Sequence, residues 1–208
     1  MAAGLRERKK QQTRRAISNA ATRLFMKNGF DNTTLGAVAD AAGVSEQTVL
    51  NYFPAKTDLF FDEQDWYGGP PQAVREGGSV ESASEAVLHW YLADLQRRHA
   101  EGHLDDLAAY LQTIAASETL RRRRLDDLAR LTAALQAELD GVSTPEHPWE
   151  AQLDAAIITS AIMVAESETA RLSRVVAGPG LLHVAERAAT SIFERICNVA
   201  QFPGRRLS

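Results

Sequence analysis

The chain has 208 residues, of which 45% are hydrophobic, and it contains 27 acidic residues, 23 basic residues and a single cysteine. This composition can bury a core and excludes a disordered chain, and one cysteine cannot form an internal disulfide. The most apolar segment, residues 155–165, is much shorter than the roughly 20 residues needed to cross a bilayer. We therefore expect a soluble cytoplasmic protein of one or two domains, without a membrane span.

The charge is divided unevenly along the chain. Residues 1–60 contain nine basic and five acidic residues, whereas the remainder contains 14 basic and 22 acidic residues. A basic N-terminal part on an otherwise acidic protein favours a polyanionic partner for that part alone. The alternative is that these basic residues only form the solvent-exposed face of a helix.

Helix-forming residues dominate the sequence and alternating β-branched residues are almost absent, so the sequence predicts an all-α fold. Residues Tyr67 to Pro71 are predicted to interrupt regular structure, and Gly77 to Ser79 to form a second loop. Thr33 or Thr34 and Ser45 are candidate N-caps. The predicted helices cover about residues 8–27, 34–42, 46–53, 55–66, 81–100, 104–116, 118–140, 149–176 and 179–200.

The last two predicted helices are candidates for a subunit interface. Residues 155–165 are apolar almost all round, so this helix must be covered on more than one side. A second subunit could supply one cover through an intermolecular four-helix bundle, although a buried central helix in a monomer would show a similar pattern. The residues assigned to this homodimer interface are Leu153, Ile157, Ala161, Val164, Leu181, Ala185, Ala188, Ile192 and Ile196.

Two short helices joined by residues 42–45, with the sequence Ala-Gly-Val-Ser, have the length and turn typical of a helix-turn-helix. In that motif the second helix enters the major groove of DNA. Further residues accompany the motif in order, and these are Gly29-Phe30, Thr33-Thr34, Val38-Ala39, Thr48, Asn51-Tyr52-Phe53 and Lys56. Together they resemble the N-terminal DNA-binding domain of the TetR family of bacterial transcriptional regulators over about residues 14–59.

The resemblance implies an N-terminal three-helix helix-turn-helix DNA-binding domain at residues 1–54 and a C-terminal helical effector-binding and dimerisation domain at residues 55–208. It further implies a one-component regulator, expected to be a repressor, that binds a near-palindromic double-stranded DNA operator as a homodimer. A small-molecule effector would release it. The alternatives are a ligand-independent or activating regulator and, from another class, an all-α enzyme or carrier that binds no DNA.

The residues assigned to DNA contact lie in or beside the helix-turn-helix and on the first helix. Gln47 is the candidate for reading a base, because a carboxamide forms two hydrogen bonds with adenine. Tyr52 and Lys56 match family positions that contact the DNA backbone. The sequence departs from the family pattern at Gln47, where Gly is common, and at Leu50, where Tyr is usual. The assigned residues are Thr33, Thr34, Ser45, Gln47, Thr48, Asn51, Tyr52, Lys56, Arg14 and Arg15.

An effector site is expected among the middle helices. Its candidate walls are the large side chains Trp66, Trp90, Tyr110 and Met163, and its candidate polar anchors are His89 and Glu166. The run from Arg121 to Arg124 is interpreted as a solvated helical face.

The sequence shows no constellation of residues typical of an enzyme, and no cofactor is expected. His99 and His103 are four residues apart, which is a possible metal-ligand spacing, but Gly102 lies between them and predicts a helix end there. No metal site is therefore assigned.

Overall fold

A computed structural model of the protein describes residues 2–62, 66–77, 80–142, 147 and 149–200. All regular structure in these ranges is helical, which confirms the predicted all-α fold class. The helices are α1 (Ala2–Asn28), α2 (Leu35–Ala42), α3 (Glu46–Tyr52), α4 (Lys56–Phe60), α5 (Gly69–Gly77), α6 (Val80–Ala100), α7 (Leu107–Ala116), α8 (Glu118–Val142), α9 (Trp149–Leu172) and α10 (Pro179–Ala200).

Local capping residues define α2 and α3. The hydroxyl of Thr34 accepts a hydrogen bond from the backbone N–H of Ala37, and Ser45 does the same for Thr48, each at 3.1 Å. Gly43 ends α2 in the left-handed conformation at φ 67°, which a residue without Cβ adopts at little cost. The predicted cap at Ser45 is confirmed, and Thr34 rather than Thr33 caps α2.

The sequence-based prediction was wrong about the break at residues 67–71, because α5 begins at Gly69. Pro70 and Pro71 occupy the first turn of this helix, where the missing N–H has no intrahelical partner to lose. A Cβ at Gly69 would lie 2.1 Å from Nε1 of Trp90, so the indole packs directly on the glycine backbone. The second predicted loop, Gly77 to Ser79, begins at the last residue of α5, and residues 78–79 lie outside the described residues.

The chain divides into two compact units, which we call unit 1 (Met1–Gln64 and Gln112–Arg123) and unit 2 (Asp65–Leu111 and Arg124–Ser208). In unit 1 the ring centroids of Phe25 and Phe30 are 5.1 Å apart, and each is 5.9 Å from that of Phe60. This aromatic cluster joins α1 to α4. The proposed domain division at residues 54 and 55 stays a prediction.

In unit 2 the buried side chains come mainly from α6, α8, α9 and α10. Apolar positions at helical spacing place Leu131, Leu135 and Leu139 inward from α8, with at most 1% exposure each. Tyr91 of α6 packs against Phe193 of α10 at a centroid distance of 6.2 Å. None of the helices in the described ranges is long and apolar enough to cross a membrane.

Candidate nucleic-acid interface

Helix α3 has one buried and one exposed face. Val49 and Phe53 are fully buried in unit 1, whereas Gln47 and Asn51 are exposed. Both pairs are four residues apart, so each pair occupies one side of the helix. The helix is thus fixed by its apolar side and presents its polar side to solvent.

The polar side chains of α3 are ordered by hydrogen bonds among themselves. The amide nitrogen of Gln47 donates to Oδ1 of Asn51 at 3.1 Å. The hydroxyls of Ser45 and Thr48 lie 2.8 Å apart and share a hydrogen bond. Two oriented amides therefore stand beside a capped first turn.

Lys56, at the start of α4, is held above an aromatic ring. Its Nζ lies 4.3 Å from the centroid of Phe30 and 3.5 Å from the carbonyl oxygen of Asp31. Partial burial lowers the pKa of Lys56, and the nearby carboxylate of Asp31 opposes that shift. The arrangement restricts the ammonium group to one region of the surface, where a phosphate could contact it.

Arg14 makes contacts with other residues of unit 1. Its guanidinium lies 4.4 Å from the ring centroid of Phe53, donates to the carbonyl oxygen of Tyr52 at 3.3 Å and forms an ion pair with Asp62. These contacts tie α1 to the end of α3. The neighbouring Arg15 is exposed, as are Arg6, Arg8, Lys9 and Lys10 along the first turns of α1.

The assignment of Thr33 to DNA contact requires a correction. Its side chain is 2% exposed, and its hydroxyl donates to the carbonyl oxygens of Gly29 at 2.9 Å and Leu24 at 3.3 Å. A buried hydroxyl with two backbone partners cannot reach a phosphate. Thr34 is exposed, and its cap leaves the hydroxyl proton available to a phosphate oxygen.

The effector candidates in unit 2 fall into two groups. Trp66 is buried, packs against Trp90 at 5.4 Å between ring centroids and donates from Nε1 to Asp94 at 2.9 Å. His89 and Met163 are exposed, because their positions on α6 and α9 point away from the core. These two residues therefore do not line the interior of unit 2, contrary to expectation.

Glu166 is buried and forms an ion pair with Arg124, whose side chain is 14% exposed. Burial opposes the charge on this guanidinium, but Glu166, Tyr67 and Tyr110 together raise the pKa of Arg124. Burial also raises the pKa of the Tyr110 phenol, with a further contribution from Tyr67. A charged and hydrogen-bonding cluster therefore lies inside unit 2.

The arginine run on α8 is not a uniform solvated face, which corrects the earlier interpretation. Arg121 and Arg122 are exposed and pair with Glu118. Arg123 pairs with Asp58 at 3.0 Å within unit 1, and Arg124 turns into unit 2.

Sequence reasoning also missed a second polar group in unit 2. Asp94 is 7% exposed and accepts from Arg98 at 2.7 Å and from Arg97 at 2.5 Å. The signal was available in part, because Asp94 lies three residues after the inward-facing Tyr91. Arg98 follows one helical turn later.

Several residues assigned to the dimer interface lie in the chain's own core. Ala161, Leu181 and Ala185 have no exposed surface, which corrects their assignment to a face shared with a second subunit. Ile157, Ala188 and Ile192 are half-buried, and the side chain of Ile196 lies outside the described residues. The exposed large apolar residues of α9 are Trp149 (55%), Val164 (47%), Leu153 (39%) and Met163 (39%).

The geometry of unit 1 defines the class of protein to which this chain is similar. Two capped short helices joined by a left-handed glycine turn, with a polar exposed face on the second, form a helix-turn-helix domain. Residues 17–62 match the family model described as bacterial regulatory proteins, tetR family. This segment is therefore similar to the part of those proteins that the family model describes.

Curated relatives match the same part of the chain. Over 50 residues the chain is 44% identical to the HTH-type transcriptional regulator AcrR of Shigella flexneri. The matched stretch covers 24% of this chain and 23% of that protein. Over 57 residues the chain is 40% identical to the HTH-type transcriptional regulator RutR of Escherichia coli strain K12, and this stretch covers 27% of each chain. The matched stretches thus span about a quarter of the length of these relatives.

Solved structures match the fold over most of the chain. NalD, the secondary repressor of the MexAB-OprM multidrug efflux pump in Pseudomonas aeruginosa, matches with a TM-score of 0.60 and 19% identity over 92% of this chain and 96% of its own. A TetR-family regulator from Streptomyces coelicolor matches with a TM-score of 0.54 and 21% identity over 88% of this chain and 96% of its own. The chain therefore has the fold of these proteins.

Proposed function

We propose that the protein is a cytoplasmic one-component transcriptional regulator that binds an operator as a homodimer, represses transcription and is released by a small-molecule effector. The observation that carries the proposal is the polar side of α3, where Gln47 and Asn51 are exposed, together with the ammonium group of Lys56 held over Phe30 in the same unit. Amides suit the edges of bases, and a held ammonium suits a phosphate. The match of residues 17–62 to the TetR family supports the same function.

The homodimer is supported by the outer face of α9. Trp149, Leu153, Ile157 and Val164 recur at helical spacing, and three of them are between 39% and 55% exposed. An apolar stripe of this length on one helix is typical of an interface with another subunit. The corrected interface therefore uses the exposed α9 residues, together with the half-buried Ala188 and Ile192 of α10.

The effector site is proposed for the interior of unit 2, around Trp66, Trp90, Tyr110 and Glu166. This region combines aromatic rings with buried charged groups, which can fix the orientation of a small molecule. Release of DNA requires that the effector bind more tightly to a conformation that cannot hold both half-sites. The proposal that the protein represses transcription follows the description of NalD as a repressor, and activation is the alternative.

Selection of bound sequences from random duplex DNA by the purified protein tests this function. The expected result is a two-fold symmetric sequence whose half-sites are centred about 10 base pairs apart or a multiple of that distance. A metabolite collection can then be searched for compounds that release this DNA. Absence of any enriched sequence would contradict the regulator, whereas binding that no compound relieves would favour the ligand-independent alternative.

A further inference from the structure

We propose that Gln47 and Asn51 read the operator as one coupled pair, in which Gln47 recognises an adenine and Asn51 recognises a guanine or thymine one or two base pairs away. The inference rests on the proposed DNA-binding function and adds the base preference of the recognition helix. It follows from the hydrogen bond that joins the two side chains and from what that bond leaves available.

The backbone fixes the distance between the two amides. Residues four apart on a helix are separated by about 6 Å along its axis, whereas neighbouring base pairs are about 3.4 Å apart. The buried side chains of Val49 and Phe53 hold α3 in place, and the Ser45 cap fixes its first turn. A helix lying in the major groove would therefore bring Gln47 and Asn51 to base pairs one or two steps apart.

The hydrogen bond assigns different chemistry to each side chain. Gln47 donates one N–H to Oδ1 of Asn51. A carboxamide has two N–H groups and one carbonyl oxygen, so Gln47 retains one donor and its acceptor. This combination matches the N7 acceptor and N6 donor of adenine.

Asn51 has the complementary role. Its oxygen already accepts from Gln47, and both of its N–H groups remain as donors. Donors match the N7 and O6 acceptors of guanine or the O4 acceptor of thymine. The hydroxyls of Ser45 and Thr48 form a separate hydrogen bond with each other.

Coupling is the property that separates this proposal from two independent contacts. The hydrogen bond restricts the rotamers of both amides before DNA binds, so loss of either one also frees its partner. Replacing Asn51 by Ala should weaken the preference for adenine at the position that Gln47 contacts. The converse holds for Gln47→Ala and the neighbouring position.

The experiment compares the sequences selected by the wild-type protein, Gln47→Ala, Asn51→Ala and the double variant, and measures affinity for the selected site and its single-base changes. The wild-type protein should prefer adenine over other bases by about 5- to 150-fold at one position of each half-site. Each single variant should reduce discrimination at both positions. The loss of discrimination in the double variant should be smaller than the product of the two single losses by more than about two-fold.

Gln72→Ala is the matched control, because Gln72 donates to Glu76 at 2.9 Å with the same four-residue spacing on α5. This variant should select the wild-type sequence. Gln47→Glu provides a directional test, because a carboxylate accepts from the N4 amino group of cytosine. It should exchange the preferred adenine for cytosine, and far-UV circular dichroism should show that each variant remains helical.

The outcomes distinguish the two levels of inference. Independent effects of Gln47→Ala and Asn51→Ala, each confined to its own base pair, would overturn the coupled pair while leaving the regulator intact. Unchanged base preference in either variant would overturn it as well. Failure of the wild-type protein to select any sequence would contradict the proposed function itself.

Discussion

The buried ion pair between Arg124 and Glu166 makes a strong prediction about stability. Replacing Arg124 by Met keeps most of the side-chain volume but leaves the carboxylate of Glu166 inside unit 2 without its cation. The two side chains are only 14% and 8% exposed, so water cannot replace the lost partner fully. The variant should therefore be much less stable than the wild-type protein.

The expected loss can be derived from the burial. Breaking a buried pair by removing one partner costs about 3–5 kcal/mol, because an uncompensated charge remains in the interior. A chain of this size shifts its melting temperature by about 2–4 °C for each kcal/mol. Arg124→Met should thus lower the free energy of unfolding by about 3–5 kcal/mol and the melting temperature by about 6–20 °C.

A double-variant cycle identifies the cause. Arg124→Met combined with Glu166→Leu removes both charges. This double variant should recover most of the lost stability, because replacing a buried ion pair by apolar residues is often neutral or stabilising. Arg171→Met is the matched control on α9, since Arg171 pairs with Glu168 in an exposed position and its loss should leave the denaturant midpoint unchanged. A stable Arg124→Met variant, or a double variant as unstable as the single, would refute the reasoning.

Three further predictions concern the caps, the packing and the pH response. Ser45→Ala should destabilise the protein by about 1 kcal/mol in urea titrations, since the α3 cap is lost; an unchanged midpoint would argue against the cap. Gly69→Ala should cost about 1–3 kcal/mol, because the new methyl group overlaps the indole of Trp90; retained stability would contradict this packing. Burial raises the pKa of Tyr91 and Tyr110 above the unfolded value. Stability is therefore complete below pH ~10 and falls above it, so tyrosinate absorbance from these residues should appear only with loss of helical circular dichroism.

The sequence predicted the features that depend on near neighbours. Ser45 lies three residues before the N–H that it caps, and Gly43 ends α2 through its own backbone conformation, so both signals are local. The α5 start shows the limit of such signals. A Gly-Pro-Pro sequence suits a turn and equally suits the first turn of a helix, and the contact of Gly69 with Trp90 joins residues 21 positions apart.

The features that the sequence did not predict depend on contacts between residues far apart in the chain. Arg121 and Arg124 are both arginines on one helix, and the second is distinguished by its pairing with the buried Glu166, 42 residues away. Leu181 and Val164 likewise both lie on apolar helical faces, but the packing of α9 on α10 buries the first and leaves the second exposed. Periodicity identifies an apolar face without identifying what covers it.

Affinity for the selected operator as a function of salt concentration tests the central claim most directly. Because Lys56 is proposed to contact a phosphate, the binding constant of the wild-type protein should fall steeply with salt. Its logarithm should decrease linearly with the logarithm of the salt concentration. Lys56→Ala should bind all sequences more weakly and reduce the slope by about 1. Binding that does not respond to salt, or a Lys56→Ala variant with unchanged affinity and slope, would contradict the account.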